Sequence, residues 1–479
     1  MRTKTAAGSP LLVFILLIVT SLVAFSQMPY GIDAAAPIGA YLDGAFPDAA
    51  PDENTVLPQF LSETGAFTDL ETLTPRAGFI PYTLRQPFWS DGAEKTRWVA
   101  IPNDGAHDSA AEQVVFSEED AWTFPAGTVA IKHFELPTDH ADPAKTKRLE
   151  TRFNIIAADG LMYGLTYKWN DDGTDAVLLE GGLKESIAVR THNGIEIRSW
   201  EYPDRMACLA CHQPVSGQIL GPNTRQLNGD MYYDATDRTA NQLATWNHLG
   251  IFTVPLDENE LPGYLTSAYR DEADTTLEHR ALSYLDSNCA YCHRPGGTYT
   301  AQFDARLAVP LPNSGIINGF ALNNLGILGS AIIVPGDTSR SLIYQRMKSL
   351  ENQVAMPPVA KGRVDSLGLA LIGEWIVSLG SQTSTDDEAS IPQRAFIESS
   401  YPNPFQHQTT VTFAVERTGQ VDIQLFDTNG VAVKSLLSRT LEPGRHTVEL
   451  SSDDLASGTY FVHIQTTASM DTHPVTVVR

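Results

Sequence analysis

All four cysteines of this 479-residue chain fall into two copies of one frame. Cys208 and Cys211 are followed by His212, and Cys289 and Cys292 by His293. Each is a Cys-x-x-Cys-His word, the attachment frame of a c-type haem. In a helical turn residues i, i+3 and i+4 share one face, so two thiols can meet the two vinyl groups along one haem edge. The histidine that follows is then aimed at the iron. Two disulfides would leave both histidines unexplained. A zinc site joins its pairs over about 15–20 residues, a shorter span than separates Cys211 from Cys289. A thioredoxin-like pair wants a βαβ context, which neither word has. The frames therefore predict two covalently bound haem c groups, with Cys208, Cys211, Cys289 and Cys292 holding the cofactors and His212 and His293 as iron ligands.

Arg2 and Lys4 precede an apolar run from Leu11 to Phe25, and Ala24-Phe25-Ser26 supplies the small residues of a cleavage site. Residues 1–26 thus read as a signal peptide. No later run is long and apolar enough for a membrane span, so no stable span is expected after cleavage. A net charge of −24 argues against nucleic acid as a partner.

Residues 75–200 read as a β-rich antiparallel domain, with strand-like runs joined at Asp159-Gly160 and Asp172-Gly173. His133, His140 and His192 lie there and read as surface or loop residues. Residues 201–270 form the first haem segment, and residues 271–380 a mainly α cytochrome c domain. Leu277, Ala281, Leu282 and Leu285 lead helically into the second frame. Ser339 or Ser341 is placed to cap a helix running to Met347, and a closing helix carries Leu367, Leu371, Ile372, Trp375 and Ile376. Met356, in the loop between them and followed by Pro357 and Pro358, is the expected sixth ligand of the second iron, with Met347 as competitor. For the first iron His248, Met231 and an open position remain alternatives. Residues 381–394 are a polar linker. Residues 395–479 read as a small β-sandwich, with Val421, Ile423 and Leu425 alternating inward and a turn at Asn429-Gly430.

Three resemblances extend this reading. The words PYTLRQPFWSDGAEKTRWVAIP, WTFPAGTVAIKHF, LETRFNI and YGLTYKWN, with CLACH and ILGPNTRQLN, resemble a family of uncharacterised envelope dihaem c-type cytochromes, over about residues 75–380. The CAYCH frame, PGDTSRSLIYQRM and the MPP loop resemble a cytochrome c domain over residues 275–380. The resemblance implies electron carriage between redox partner proteins outside the cytoplasm. A dihaem peroxidase-like enzyme with one open haem, or a redox subunit of a separate dehydrogenase, are the alternatives. YPNPF, DTNG and ELSSDDLASGTYFVHI resemble the C-terminal sorting domain of type IX secretion cargo, over residues 395–479. That implies the type IX machinery as partner and a periplasmic, cell-surface or extracellular destination.

Overall fold

The computed structural model describes residues 30–39, 41–298, 303–319, 321, 323–359, 361–382, 395–415, 418–428, 430–466 and 470–478. The signal peptide, linker residues 383–394 and Asn429 lie outside them.

A six-stranded antiparallel sheet organises the front of the chain. Its strands, in order across the sheet, are β1 (Ile80–Pro81), β2 (Glu94–Ala100), β3 (Val129–Pro137), β4 (Thr146–Ile156), β5 (Met162–Trp169) and β6 (Ala176–Leu178). Asp159-Gly160 turns between β4 and β5, and Asp172-Gly173 between β5 and β6. Gly160 and Gly173 take φ of 80° and 67°, which glycine adopts without a Cβ penalty. Strand side chains alternate between faces, and one face is largely apolar. Trp98, Ile131, Phe153, Leu165 and Tyr167 pack there against Ile38, Phe46, Leu57 and Leu61.

The other face is divided. At one end Val99, Ile101, Ala130 and Ile156 meet Trp122, Phe124, Trp246 and Phe252. At the other, Phe134 and Leu136 meet Ile187, Val189, Trp200 and Tyr202 of a hairpin, β7 (Leu183–Thr191) and β8 (Gly194–Tyr202). The centre of this face carries Arg97, Lys132 and Arg152. His133 points to the opposite face and is buried, bonded to Thr151 Oγ1 at 2.8 Å and Glu135 Oε1 at 3.1 Å. It is a core residue, which corrects its reading as a surface or loop histidine.

After a short helix, α1 (Arg205–Leu209), the chain forms α2 (Thr224–Leu227), a hairpin of β9 (Asp230–Tyr233) and β10 (Arg238–Asn241), and α3 (Gln242–His248). Asp204 caps α1 by accepting from the Ala207 amide. Then come α4 (Leu277–Cys289), α5 (Leu342–Lys348) and α6 (Ser366–Gln382). Thr276 Oγ1 caps α4 by accepting from the His279 amide at 3.1 Å. Ser341 precedes α5 but bonds the loop before it, donating to Asp337 O and receiving from Val334 N. Tyr284, Leu285, Met347, Leu371, Ile372, Trp375 and Ile376 form the core of this region. Leu367 instead faces outward, 54% exposed.

The expectation of a mainly α cytochrome c architecture is overturned. Strand accounts for 34% and helix for 16% of the structure. Within residues 271–380 the helices α4, α5 and α6 are separated by long loops and isolated bridges such as Ile317 to Ile333. The physical reason is the sequence between Cys292 and Leu342, whose many Gly, Pro and Asn residues favour turns over helix.

Close packing in this region makes one substitution informative. A Cβ on Gly368 of α6 would stand 2.3 Å from Tyr284 Cζ of α4, and the Tyr284 hydroxyl is held at 3.1 Å by Asp365 Oδ2. Gly to Ala inside an exposed helix normally stabilises. Here Gly368→Ala should instead cost about 1–3 kcal/mol, read as a lower denaturant midpoint.

The last element is a sandwich with its own core. One sheet has the order β11 (Ala395–Tyr401), β12 (Gln408–Val415), β15 (Gly444–Ser451). The other has the order β14 (Ala432–Leu441), β13 (Gly419–Phe426), β16 (Gly458–Gln465), β17 (Met470–Val477). Val421, Ile423, Leu425, Val462 and Ile464 are fully buried between them with Phe405 and Phe413.

Candidate thiol site

Both Cys-x-x-Cys-His words end a helix. Cys208 lies in α1, and Cys211 and His212 in the turn after it. Cys289 is the last residue of α4, with Cys292 and His293 just beyond. In each word the histidine amide bonds back to the carbonyl of the first cysteine, at 3.1 Å for His212 and 2.8 Å for His293.

A buried ion pair joins α2, which follows the first word, to α4, which leads into the second. Arg225 Nε donates to Asp286 Oδ2 at 2.7 Å, and both side chains are almost wholly buried. Beside it Gln226 Nε2 donates to Ser287 Oγ at 2.7 Å. The two words meet at one cavity, which Cys211 and Cys292 both line, and each thiol acts on the other's ionisation. Cys292 Sγ also lies 3.6 Å from the carbonyl of Ala210.

Two cavities adjoin this contact, and Cys211, Trp89, Tyr291 and Pro357 line both. The first holds about 190 Å³ and is walled mainly by apolar groups, with Cys289, Cys292, His293, Met347 and Met356 among them. The second holds about 140 Å³ and is lined by Cys208, His212, Lys95, Lys132, Arg152 and Asn154.

The electrostatics differ from thiol to thiol. The neighbouring Cys292 thiol lowers the pKa of Cys211. Burial opposes that effect, while Lys132 and Arg152 reinforce it. Cys292 is pushed up by the neighbouring Cys211 and by burial. Burial lifts Cys289 to about 12 and raises Cys208 as well. Burial, with Lys132 next in weight, holds His212 down to about 3. Burial and Arg346 hold His293 down to about 4. Both imidazoles are therefore neutral at pH 7. His212 Nδ1 contacts the Gln218 carbonyl at 2.6 Å, and His293 stacks on Phe303 at 4.4 Å.

This arrangement corrects the cofactor expectation. Among the described residues no three His, Cys, Asp or Glu side chains converge where they could hold a metal ion. Two haem c groups, iron ligation, membership of the dihaem cytochrome family, the electron-carrier role and a haem peroxidase are accordingly not supported. The alternative sixth ligands lie elsewhere. His248 is exposed at the end of α3, where its Nε2 contacts the Asp33 carbonyl at 2.9 Å and its ring stacks on Tyr30. Met231 is buried in a small cluster with Tyr233 and Ala240.

Comparison with known proteins speaks to the tail. Residues 399–477 match the model of a secretion system C-terminal sorting domain. No curated protein matches the chain. Among solved structures, an endo-β-1,4-mannanase from Thermotoga petrophila is 13% identical over 24% of this chain and 25% of its own, with a TM-score of 0.13. The chain thus spans about a quarter of that enzyme, and a likeness this slight carries no argument about fold or function. With the sorting domain in place, the chain is exported to the periplasm or beyond, and the type IX secretion machinery is its partner in transit. Among the described residues no helix is long and apolar enough to cross a membrane.

Proposed function

We propose that this chain is an exported thiol–disulfide exchange protein whose reactive pair is Cys211 and Cys292. The observation that carries the reading is that Cys211 and Cys292 line one cavity while Cys211 also faces Lys132 and Arg152 across the other. A reactive cysteine is one whose thiolate is stabilised in an electropositive, accessible setting, and Cys211 lines two cavities. A fold need not be thioredoxin-like to do this chemistry, because function resides in the site.

The step is a two-electron exchange with the disulfide of a redox partner protein. The Cys211 thiolate attacks one partner sulfur, the partner's S–S bond breaks, and a mixed disulfide forms with release of a partner thiolate. Cys292 gives its proton to that leaving thiolate and attacks Cys211 Sγ. The second partner thiol leaves, so the partner is reduced and a Cys211–Cys292 disulfide is formed. Cys208, Cys289, His212, His293 and Met356 shape the walls around the pair. The raised pKa values of Cys208 and Cys289 keep those thiols protonated, and therefore slow to react.

Reaction with an aromatic model disulfide tests this directly. Cys211→Ser should slow the reduced protein by about tenfold or more, because the remaining thiols are protonated at neutral pH. Cys292→Ser should leave a stable mixed disulfide on Cys211. Unchanged rates in both variants would refute the assignment.

A further inference from the structure

The centre of the divided sheet face carries a row of cations that register alone brings together. Arg97 of β2 is directly opposite Lys132 of β3, and Lys132 is directly opposite Arg152 of β4. Residues paired in this way share a face with Cβ atoms about 5 Å apart, where like charges repel. Lys95 stands two residues before Arg97 on the same face. Arg152 is paired with Glu150, Nη2 to Oε1 at 2.5 Å. Lys132 has no carboxylate partner among the described residues; it lies over the Phe88 ring, 5.3 Å from its centroid. Lys95 donates to the Phe88 carbonyl. Arg97 is 5% exposed, and its Nε and Nη2 have no hydrogen-bond partner among the described residues. Lys95, Lys132 and Arg152 line one cavity, with Arg97 beside them outside its lining, and the cavity's Glu201 lies 3.5 Å from Lys184. Asp91, at the rim of the same cavity, is occupied by the amides of Gly362 and Arg363.

We infer that the cavity lined by Lys95, Lys132 and Arg152 is an oxyanion site, which takes the carboxylate or phosphate group of a small ligand. Its volume of about 140 Å³ suits a small polyanion, and guanidinium and ammonium donors on neighbouring strands match oxyanion geometry. Burial, aided by Arg97 and Arg152, lowers Lys132 to about 7, which disfavours its full charge at neutral pH. An anion would restore it. The inference does not depend on the thiol chemistry, and it should survive Cys211→Ser.

The test is the thermal midpoint and calorimetric titration of the full chain with inorganic phosphate and, separately, with succinate, against chloride at equal ionic strength. Stabilisation by either oxyanion beyond chloride is expected, and the stronger of the two identifies the head-group. Lys132→Met should raise the midpoint of the ligand-free protein by relieving repulsion and should weaken the oxyanion by about tenfold. Lys95→Met, as a second variant, should weaken it in the same sense. Wild-type stabilisation no greater than chloride's would overturn the proposal, as would oxyanion affinity unchanged from wild type in both variants.

Discussion

Replacing Asp286 with Ala should destabilise the front of the molecule by about 3–5 kcal/mol, the cost of leaving one member of a buried ion pair without its partner. Asp286 serves two groups at once. Its Oδ2 accepts from Arg225 Nε at 2.7 Å, and its Oδ1 accepts from the Leu307 amide at 3.1 Å. Arg225 in turn donates to the Glu119 carbonyl at 2.9 Å. One carboxylate therefore links α4, the loop after the second cysteine word, the loop before β3 and α2. The Ala variant strands both the Arg225 guanidinium and the Leu307 amide. Asp286→Asn keeps the acceptor to Leu307 and should cost less. Tryptophan fluorescence during urea unfolding isolates the effect, because all seven tryptophans precede the sorting domain. A loss below about 1 kcal/mol would place the pair among weak surface bridges and remove the main brace between the cysteine words.

Removing everything after Thr385 should abolish delivery beyond the outer membrane while leaving the rest of the chain folded. The matched sorting domain occupies residues 399–477. Its core of Phe405, Phe413, Val421, Ile423, Leu425, Val462 and Ile464 is separate from the clusters around the six-stranded sheet and around Tyr284 and Trp375. Deletion therefore exposes no part of those cores. Fractionation of a type IX-competent host should find the truncated chain in the periplasm, with the tryptophan unfolding curve unchanged. Surface display of the truncated chain would mean that the address lies elsewhere.

Local signals were the legible ones. The Asp-Gly pairs at 159–160 and 172–173 stand at turns because glycine supplies the positive φ those turns require, and the alternation through Val421, Ile423 and Leu425 reflects a strand buried on one face. The same local logic misled where long-range contact decides. Leu367 fits an apolar helical stripe, yet it lies outside the Tyr284 core. His133, flanked by strand residues, is drawn into the core by Thr151 and Glu135. The Cys-x-x-Cys-His spacing says how two thiols lie within one word; it says nothing of the second word brought against the first by Arg225 and Asp286. The Cys211 to Cys292 contact and the Arg97, Lys132, Arg152 row both arise from pairing between segments distant in sequence. No window along the chain contains them.

The central claim, a cycling Cys211–Cys292 pair, is tested most directly on the protein purified from its native host. Differential alkylation under reducing and oxidising conditions, followed by peptide mass mapping and an absorption spectrum of the same sample, reads all four thiols at once. Reversible appearance of a Cys211–Cys292 disulfide is expected, with Cys208 and Cys289 remaining alkylatable after denaturation and no visible absorption. Cysteines that resist alkylation after reduction and denaturation, with a covalently bound chromophore on the two peptides, would contradict the account.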